Sequence, residues 1–507
     1  MNIIDIINEI AENSRSWISK GEVIDPIDAK NIKAHYADTH LSVGYLLYGD
    51  IELAIEIMNS FLDDWNKRCN LPDYHADFNN FAMCIFSEEI KKREIEFDLQ
   101  NKLDKIILNA KDSHNYTINW LPMRIYTNFY RYQISGECKF LNTCWKLEEI
   151  VQEAINSDWT IEDRLPKGVS YNLQYNVSTV AVLLYLFNRG YSFKHISCLS
   201  ECIASLIDLM APDGDINYMG RGCNQIFAWG PWIYIVTCIE RREIFEITKN
   251  YIENNSSFIR NNNILLNNLS GVNKQYWWDY HYCSVYHSHL FMWMLLAEQE
   301  NKQIKLQVKC LDQLQTFRTY KTSSFQCQIF KGRKEYLSEW GPEINYIWSS
   351  KLGMIYKGVF GPWGGHFGNK YVLPTYTLRN KVGLISYKQG YNAFHNRILD
   401  RVGIVIKRMP FEKVMHLQAK LSFKEEEGSL IIAFQLPKKM NAYMNFPVFD
   451  RIKTSFFQFD VKADGSHLPI YCIGKILNQY GYCYLYESKN AFASNWEVRI
   501  IINENTN

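Results

Sequence analysis

The sequence predicts a multi-domain α+β protein, in which an N-terminal (α/α) toroid over residues 1–310 is followed by a C-terminal antiparallel β-sandwich over residues 311–507. Three observations support this fold class. The chain has 507 residues, which is too long for one ordinary hydrophobic core. Up to about residue 300, apolar residues recur every three or four positions, as in amphipathic helices. Beyond residue 310, short stretches rich in β-branched and aromatic residues alternate with turn residues, as in antiparallel sheets.

The helical part divides into twelve predicted helices. They cover residues 3–19, 29–47, 51–67, 77–92, 96–111, 117–134, 141–157, 171–188, 194–210, 222–239, 241–253 and 277–299. Breaks such as Gly49-Asp50 and Pro212-Asp213-Gly214-Asp215 carry the residues that end helices and form turns. Twelve helices joined by short loops form about six helical hairpins. Because no fixed-period repeat is visible, we expect these hairpins to close into a ring rather than extend as a solenoid.

The C-terminal part contains six stretches that are typical of strands. They are SSFQCQIF, KLGMIYKGVF, VGIVIKRM, GSLIIAFQL, SFFQFDV and WEVRIIIN. Apolar and polar residues alternate in SFFQFDV, which predicts a strand with one face in a core and one face in solvent. Short strands of this kind, separated by turn residues, predict the β-sandwich.

Composition limits the class of ligand. Aromatic residues make up 15% of the chain, with 33 Tyr, 28 Phe and 14 Trp. The apolar faces of sugar rings stack on aromatic rings, and Tyr and Trp also offer a polar group. The composition therefore fits a carbohydrate ligand, although aromatic residues also fill large cores. The net charge is +1 and no long basic run occurs, so nucleic acid is not an expected partner.

The sequence favours a cytoplasmic protein, with export by another route left open. The N-terminal stretch contains Asp5 and Glu9 and lacks a basic start, which indicates an amphipathic helix rather than a signal peptide. The longest apolar run, residues 177–187, is too short to span a bilayer. The 13 cysteines include no CxxC pair, and Cys198 and Cys202 are interpreted as buried thiols, which indicates a reducing compartment.

Four segments of the helical part hold polar groups in aromatic surroundings. They are Asn119-Trp120-Leu121-Pro122-Met123-Arg124, residues 168–176, residues 213–225, and Trp277-Trp278-Asp279-Tyr280-His281-Tyr282. Their order resembles that of the toroidal polysaccharide lyases, the chondroitin/hyaluronate lyase and heparinase II/III-like families. In those families an Asn-Trp segment precedes a Gly-containing loop that leads to a Gln-His or Tyr pair, and a Gly-Arg segment follows.

Three positions of this chain carry the resemblance. Asn119-Trp120 looks like the first family segment, Gly168 through Gln174-Tyr175 like the second, and Gly220-Arg221 like the third, at intervals of 175 − 119 = 56 and 221 − 175 = 46 residues. The resemblance implies a toroid with antiparallel β domains that cleaves a uronic-acid glycan by β-elimination without a cofactor. Tyr175 stands where a chondroitin lyase-type enzyme has a His, and some toroidal lyases use Tyr as both base and acid.

The chemistry of β-elimination suggests a role for each residue type. The C5 proton of a uronic acid is very weakly acidic while the neighbouring carboxylate is charged, so hydrogen-bond donors must neutralise that carboxylate. Asn, Gln and Arg can donate without taking the proton. Asn119 and Arg221 are therefore candidates for this neutralisation, with a helix cap and a salt bridge as their structural alternatives. Tyr175 and Tyr171 are candidates for the base and acid, and a nearby Arg would lower the pKa of either phenol.

Further candidates extend this list. His281 is another candidate base. The expected substrate-binding residues are Trp120, Asn172, Gln174, Asn224, Gln225, Trp278 and Tyr280 in the helical part, and Trp363 and His366 in a Gly-rich loop of the β part. Asn224 and Gln225 are predicted to follow Arg221 on one helix. His287 and His289 are expected to be ordinary helix histidines, because their spacing places them on different sides of a helix, and no metal site is expected.

Three other functions remain open from the sequence. An unsaturated-uronide hydrolase on the same toroid needs two carboxyl groups flanking the scissile bond, and Asp213, Asp215 and Asp279 are the available acids. A uronyl C5-epimerase begins with the same removal of the C5 proton. A non-catalytic protein would bind an acidic polysaccharide or oligosaccharide without turnover.

Overall fold

The computed structural model describes residues 3–165, 172–219, 224–255, 260–261, 264–265, 283–300, 305–309, 317–330, 343–357, 420–452, 457–478 and 480–502. Within these ranges, every helix lies before residue 301, and the three larger sheets lie after residue 316. None of the helices in these ranges has the length and apolar character needed to cross a membrane.

The described part of the chain contains twelve α-helices. They are α1 (Ile3–Arg15), α2 (Ala37–Tyr48), α3 (Ile51–Arg68), α4 (Ala76–Lys92), α5 (Phe97–Asn109), α6 (Leu121–Ser135), α7 (Cys138–Ala154), α8 (Leu173–Asn188), α9 (Leu199–Leu209), α10 (Trp229–Cys238), α11 (Arg242–Asn255) and α12 (Cys283–Glu300). Each of the twelve predicted segments overlaps one of these helices, so the helix-rich N-terminal region is confirmed.

Two predicted helical stretches are wrong near the N-terminus. Residues 16–19 and 29–36 were expected to be helical, but they lie around a small sheet of β1 (Ile18–Ser19), β2 (Glu22–Asp25) and β3 (Lys30–Asn31). The side chain of Asp25 accepts hydrogen bonds from the backbone of Ile27 and Asp28, and Ala29 adopts a φ of 52°. An aspartate that binds its own following backbone competes with the helix, which explains the turn.

The even-numbered helices contact one another in a closed cycle. Contacts pass from α2 to α4, α6, α8, α10 and α12, and from α12 back to α2. Each odd-numbered helix packs on a member of this cycle. Helices α8, α10 and α12 are buried along nearly their whole length, whereas α5 buries only Leu99, Leu103 and Ile107. Helices that are apolar all round belong in an interior and those with one apolar stripe at a surface, so the cycle forms an inner layer.

Two glycines let α12 approach both of its neighbours closely. A Cβ atom at Gly44 of α2 would lie 2.3 Å from Cδ1 of Phe291, and one at Gly230 of α10 would lie 2.8 Å from Cβ of Trp293. Phe291 and Trp293 of α12 are both fully buried. Only glycine leaves room for these side chains, so the close contacts of α12 with α2 and α10 depend on both residues.

The C-terminal region consists of antiparallel sheets. After the small hairpin of β4 (Arg260–Asn261) and β5 (Ile264–Leu265), a four-stranded sheet contains β6 (Phe317–Lys321), β7 (Phe325–Phe330), β8 (Glu343–Ser349) and β9 (Gly353–Lys357) in that order. The remaining strands are β10 (Lys420–Glu426), β11 (Ser429–Ala442), β12 (Asn445–Phe449), β13 (Phe457–Ala463), β14 (Ser466–Leu468), β15 (Ile470–Asn478), β16 (Gly481–Ser488) and β17 (Ala491–Ile502). Their orders are β10-β11-β17-β13-β14 and β12-β16-β15.

Alternation along the strands creates the β core. In the β11–β17 pair, Phe434 lies opposite Trp496 and Ile432 opposite Val498, and all four side chains are buried. Five of the six predicted strand stretches coincide with β7, β9, β11, β13 and β17. The sixth, VGIVIKRM, lies outside the described residues. The expected antiparallel sheets are therefore confirmed where the structure describes them.

Candidate functional site

Aromatic side chains connect the starts of the six inner helices. The helix-start cluster consists of Tyr36, Phe78, Trp120, Tyr175, Phe227 and Tyr286, which lie in or just before the first two turns of α2, α4, α6, α8, α10 and α12. Tyr36 stacks on Phe78 with ring centroids 4.4 Å apart, and Phe78 lies 6.4 Å from Phe227. Phe227 in turn meets the edge of Tyr175 at 6.3 Å. Phe78 also contacts Trp120 at 5.4 Å, and Phe227 contacts Tyr286 at 6.0 Å, so the cluster joins residues from all six inner helices at one end of the cycle.

Partly exposed rings border this cluster. Trp120 and Tyr175 are each half-buried, as are His35 and His75. The rings of His35 and His75 stack with centroids 4.1 Å apart, and His75 lies 5.0 Å from Trp120. Rings that stack and remain partly accessible can offer their edges and faces to a ligand.

A buried histidine pair lies against the cluster. Nδ1 of His40 is 3.2 Å from Nδ1 of His289, and the ring of His289 stacks on Phe227 with centroids 4.3 Å apart. Nε2 of His40 lies 3.4 Å from the carbonyl oxygen of Phe78. If Nε2 of His40 donates to that carbonyl, Nδ1 of His40 must accept the proton that Nδ1 of His289 donates. Burial lowers the pKa of His40 to about 3 and that of His289 well below 6.5, so both rings are neutral at neutral pH.

Tyr36 keeps its proton throughout the physiological pH range. Burial raises the pKa of its phenol well above 10, and the nearby phenol of Tyr175 raises it further. A phenol in this state is a hydrogen-bond donor rather than a base.

Two complete side-chain amides are buried near these helix starts without hydrogen-bond partners. Gln174 opens the first turn of α8, and Gln225 precedes the short 3-10 turn Ile226–Ala228 that contacts α8. Both side chains are fully buried, and none of their amide atoms has a partner among the residues that the structure describes. Among the buried amides that the structure describes, only these two lack partners at both nitrogen and oxygen.

Asn119 adds a third amide group to this end. It lies in the 3-10 turn Ile118–Trp120, which contacts α6 and α8, and it is 3% exposed. Its Oδ1 atom is buried without a partner. The side chain does not cap α6, so the cap alternative for this residue is wrong. An unpaired buried polar atom costs about 1–3 kcal/mol, so three such side chains require an explanation.

The structure describes seven of the predicted site residues. They are Asn119, Trp120, Asn172, Gln174, Tyr175, Asn224 and Gln225. All seven lie at the starts of α6, α8 and α10 or in the turns that lead to them. The other seven lie outside the described residues, namely Tyr171, Arg221, Trp278, Tyr280, His281, Trp363 and His366.

The prediction that Asn224 and Gln225 lie on a helix is wrong. Asn224 adopts a φ of 59°, and Gln225 is extended. The backbone nitrogen of Asn224 donates to the carbonyl of Asn217, and Nδ2 of Asn217 donates to the carbonyl of Gln225. These bonds fix both residues in a turn before α10, and the apolar pattern of residues 222–228 gave no sign of it.

Four carboxylates around the inner helices are bound by cations or backbone amides. Asp77 receives two bonds from Arg124, at 3.1 and 2.8 Å. Asp38 receives a bond of 2.6 Å from Arg68. Asp213 and Asp215, the acids considered for a hydrolase, lie 2.6 and 2.9 Å from Nζ of one lysine, Lys357. All four therefore already serve the fold.

Sequence reasoning did not select Tyr36, His40, Phe78 and Phe227 at this end. A signal for Tyr36 exists in the chain, because it stands immediately before an inner helix, as Trp120 does. His287 and His289 were expected on different sides of their helix, and this is confirmed, since His287 meets Trp17 and His289 meets His40. In the described ranges, no group of three or more His, Cys, Asp or Glu residues is arranged to hold a metal ion.

Known proteins resemble the chain only in structure. No family model and no curated protein matches the sequence. The chain is similar to the Lin0763 protein from Listeria innocua, at 12% identity and a TM-score of 0.44 over 60% of this chain and 100% of that chain. It is also similar to a variant of unsaturated glucuronyl hydrolase from Streptococcus agalactiae, at 13% identity and a TM-score of 0.42 over 60% of this chain and 92% of that chain. A polysaccharide lyase is similar at 9% identity and a TM-score of 0.41 over 60% of this chain and 99% of that chain. At these scores the likeness decides neither reaction nor substrate.

Proposed function

We propose that this protein is a polysaccharide lyase that cleaves a uronic-acid-containing glycan by β-elimination. The site would lie at the helix-start cluster, on an (α/α) toroid formed by the cycle of inner helices and its outer layer. The closed set of contacts from α2 round to α12 supports the toroid. Buried pairs such as Phe434 and Trp496 support a β-sandwich in the C-terminal part, with the division near residue 310.

The observation that carries this proposal is the pair of unpartnered buried amides, Gln174 and Gln225, next to Asn119. Unpaired buried amide atoms cost about 1–3 kcal/mol each, and a ligand that bonds to them offsets this cost. Amide N–H groups donate to a carboxylate without removing a proton from the substrate. Donors fixed in a buried position can stabilise the charge that develops on a uronate carboxylate when C5 loses its proton.

Tyr175 is the proposed base. It is half-buried in the first turn of α8, beside Gln174 in sequence, and its ring meets Phe227 of the helix-start cluster. In the reaction the phenolate form of Tyr175 takes the C5 proton, the electron pair of the C5–H bond forms the C4–C5 double bond, and the C4–O4 bond breaks. The leaving oxygen receives a proton, which either Tyr175 or Tyr36 would supply.

The bound carboxylates argue against a glycoside hydrolase at this end of the cycle. Hydrolysis needs two carboxyl groups that flank the scissile bond and can exchange protons. Asp213 and Asp215 instead share Lys357, and Asp77 and Asp38 each pair with an arginine. Asp279, the remaining acid considered from the sequence, lies outside the described residues.

The proposal is tested by incubating the protein with a panel of uronic-acid polysaccharides and following the ultraviolet absorbance of the C4–C5 double bond. A lyase creates this chromophore, an unsaturated-uronide hydrolase consumes it on pre-cleaved oligosaccharides, and an epimerase or a binding protein does neither. We expect the absorbance to rise. No rise with any uronate polymer would contradict the proposal.

Tyr175→Phe tests the assignment of the base. The substitution removes one hydroxyl, so we expect the fold to persist and kcat to fall at least about 100-fold, since a positioned acid–base group contributes roughly 10²–10⁴-fold. Tyr132→Phe is the matched control, because Tyr132 lies near the opposite end of α6 and is also half-buried. A Tyr175→Phe variant with a rate near that of the wild type would exclude this tyrosine as the base.

A further inference from the structure

The segment between α9 and α10 is held from both sides. Gly214 adopts a φ of +93°, and a Cβ atom there would lie 3.1 Å from both Ile247 and Tyr251 of α11, so the turn packs tightly on that helix. Oδ1 of Asp215 accepts a bond of 2.7 Å from the backbone nitrogen of Asn217. We call residues 210–219 together with Asn224 and Gln225 the α9–α10 loop.

Lys357 at the end of β9 reaches into this loop from the β part. Its Nζ atom lies 2.6 Å from Oδ2 of Asp213, 2.9 Å from Oδ2 of Asp215 and 3.2 Å from the hydroxyl of Tyr251. The residue is 2% exposed. Burial acts to lower the pKa of Lys357, but Asp213 and Asp215 outweigh it and raise that pKa above its ordinary value, so the ammonium stays charged.

A second residue of the β part binds the same loop. Tyr480 lies between β15 and β16. Its hydroxyl is 2.5 Å from Oδ2 of Asp215 and 2.8 Å from the carbonyl oxygen of Asn217. The Lys357 ammonium also lies 4.5 Å from the centre of the Tyr480 ring. Two side chains from different sheets thus converge on one aspartate.

The hydrogen bonds continue from this aspartate to the backbone of Gln225. Asp215 binds the backbone nitrogen of Asn217, and Nδ2 of Asn217 donates to the carbonyl of Gln225 at 3.0 Å. Lys357 is therefore three hydrogen-bonded steps from Gln225, whose side chain has no partner among the described residues. A small displacement of a group that must meet a reacting centre can cost about 100-fold in rate.

We propose that Lys357 is a positioning residue, which holds the α9–α10 loop through Asp213 and Asp215 so that the amide of Gln225 can meet the substrate. The role of Gln225 in this inference rests on the proposed function. The stabilisation of the loop by Lys357 is independent of the proposed function. It gives the β part a defined task at a site that is built on the helices. It also explains why two acidic residues that resemble a catalytic pair are bound to a lysine.

The experiment compares Lys357→Met and Tyr480→Phe with the wild type, and uses Lys424→Met as the matched control. Lys424 lies on β10, and its partially exposed side chain pairs only with Glu426 among the described residues. Hydrogen exchange of the peptide covering residues 210–219 is measured in the full-length protein, together with kcat and KM on the uronate polymer. A second peptide, from α4, reports whether exchange changes throughout the fold.

We expect Lys357→Met to speed exchange in the 210–219 peptide at least about tenfold with little change in α4, and to lower kcat more than it raises KM. Tyr480→Phe should change both quantities in the same direction by a smaller factor, and Lys357→Arg should restore part of kcat. Unchanged exchange in Lys357→Met would overturn the hold on the loop. Faster exchange with wild-type kcat would overturn the positioning role.

The design also separates this inference from the proposed function. If the wild type cleaves no uronate polymer while Lys357→Met still loosens the loop, the proposed function fails and the hold on the loop stands. If the polymer is cleaved and the loop of Lys357→Met exchanges like that of the wild type, the proposed function stands and the role of Lys357 fails.

Discussion

Under the proposed function, Gln174 is a residue that reduces stability for the sake of binding. Its amide is fully buried at the start of α8 and has no partner among the described residues, which costs the fold about 1–3 kcal/mol relative to a side chain of the same shape without polar atoms. Gln328 in β7 is equally buried, but its amide bonds Tyr218 at 2.5 Å and Asn345 at 3.3 Å. The two glutamines are equally buried, but only the amide of Gln328 has hydrogen-bond partners among the described residues.

Gln174→Met should therefore stabilise the protein and impair its activity. Methionine has nearly the same shape and removes the unpaired amide, so we expect the free energy of unfolding to rise by about 1 kcal/mol and kcat/KM to fall at least about tenfold. Chemical unfolding and the absorbance assay measure the two effects. Gln328→Met is the control and should lower the free energy of unfolding by about 1–3 kcal/mol, because it removes the acceptor of the buried Nδ2 of Asn345. Equal signs for the two stability changes would contradict this explanation.

The family resemblance and residue type together led to part of the candidate site. Asn119 and Gln174 stand in the motifs that carry the resemblance, amides such as Gln225 suit carboxylate binding, and the structure places all three at neighbouring helix starts. The sequence could not show that their amides lack partners, since this depends on residues far away in the chain. It also could not find His40, because its partner His289 is separated from it by 249 residues.

At the scale of elements, apolar periodicity identified all twelve described helices but misplaced some of their ends. The inner helices continue their apolar pattern into the preceding turns, so residues 222–228 resembled the first turns of α10. The positive φ of Asn224 and the bonds of Asn217 to this segment determine the actual start. Turn geometry of this kind arises from contacts with other elements, so the apolar periodicity of the sequence does not predict it.

The contact between α2 and α12 should make the protein sensitive to acid. Burial lowers the pKa of His40 to about 3 and that of His289 well below 6.5, whereas both have an ordinary pKa in the unfolded chain. Below about pH 6.5 the unfolded chain therefore binds more protons than the folded chain, and stability falls as pH falls. Above that pH the two histidines contribute no pH dependence.

This prediction is checked by chemical unfolding between about pH 7 and pH 5, a range over which each buried histidine should remove about 2 kcal/mol. His40→Gln keeps a donor and an acceptor but cannot be protonated, so the decrease in unfolding free energy should be smaller in this variant. His114→Gln changes an exposed histidine and should retain the wild-type pH dependence. A wild-type slope in His40→Gln would show that this pair does not control the acid response.

At the scale of the whole molecule, the N-terminal segment bonds to α12 where the inner cycle closes. Asp25, at the end of β2, accepts two bonds from Ser284 in the first turn of α12, at 2.7 Å from its backbone nitrogen and 2.8 Å from its hydroxyl. Its other carboxylate oxygen accepts from the backbone of Ile27 and Asp28. A residue 259 positions away thus supplies the negative charge and the acceptor that the start of a helix requires.

Asp25→Asn is a sharp test of this closure. Both carboxylate oxygens of Asp25 accept hydrogen bonds, so an asparagine must turn its NH₂ group toward either Ser284 or the turn at Ile27, and donor then faces donor. We expect the free energy of unfolding to fall by about 2–3 kcal/mol, because a buried charge-assisted bond is lost and a donor is left unpaired. Asp98→Asn, at an exposed site in the first turn of α5, should change it by less than about 0.5 kcal/mol. If the two variants were equally stable, Asp25 would not be the residue that joins the N-terminal segment to α12. The close contact of Gly44 with Phe291 would then have to hold α12 against α2.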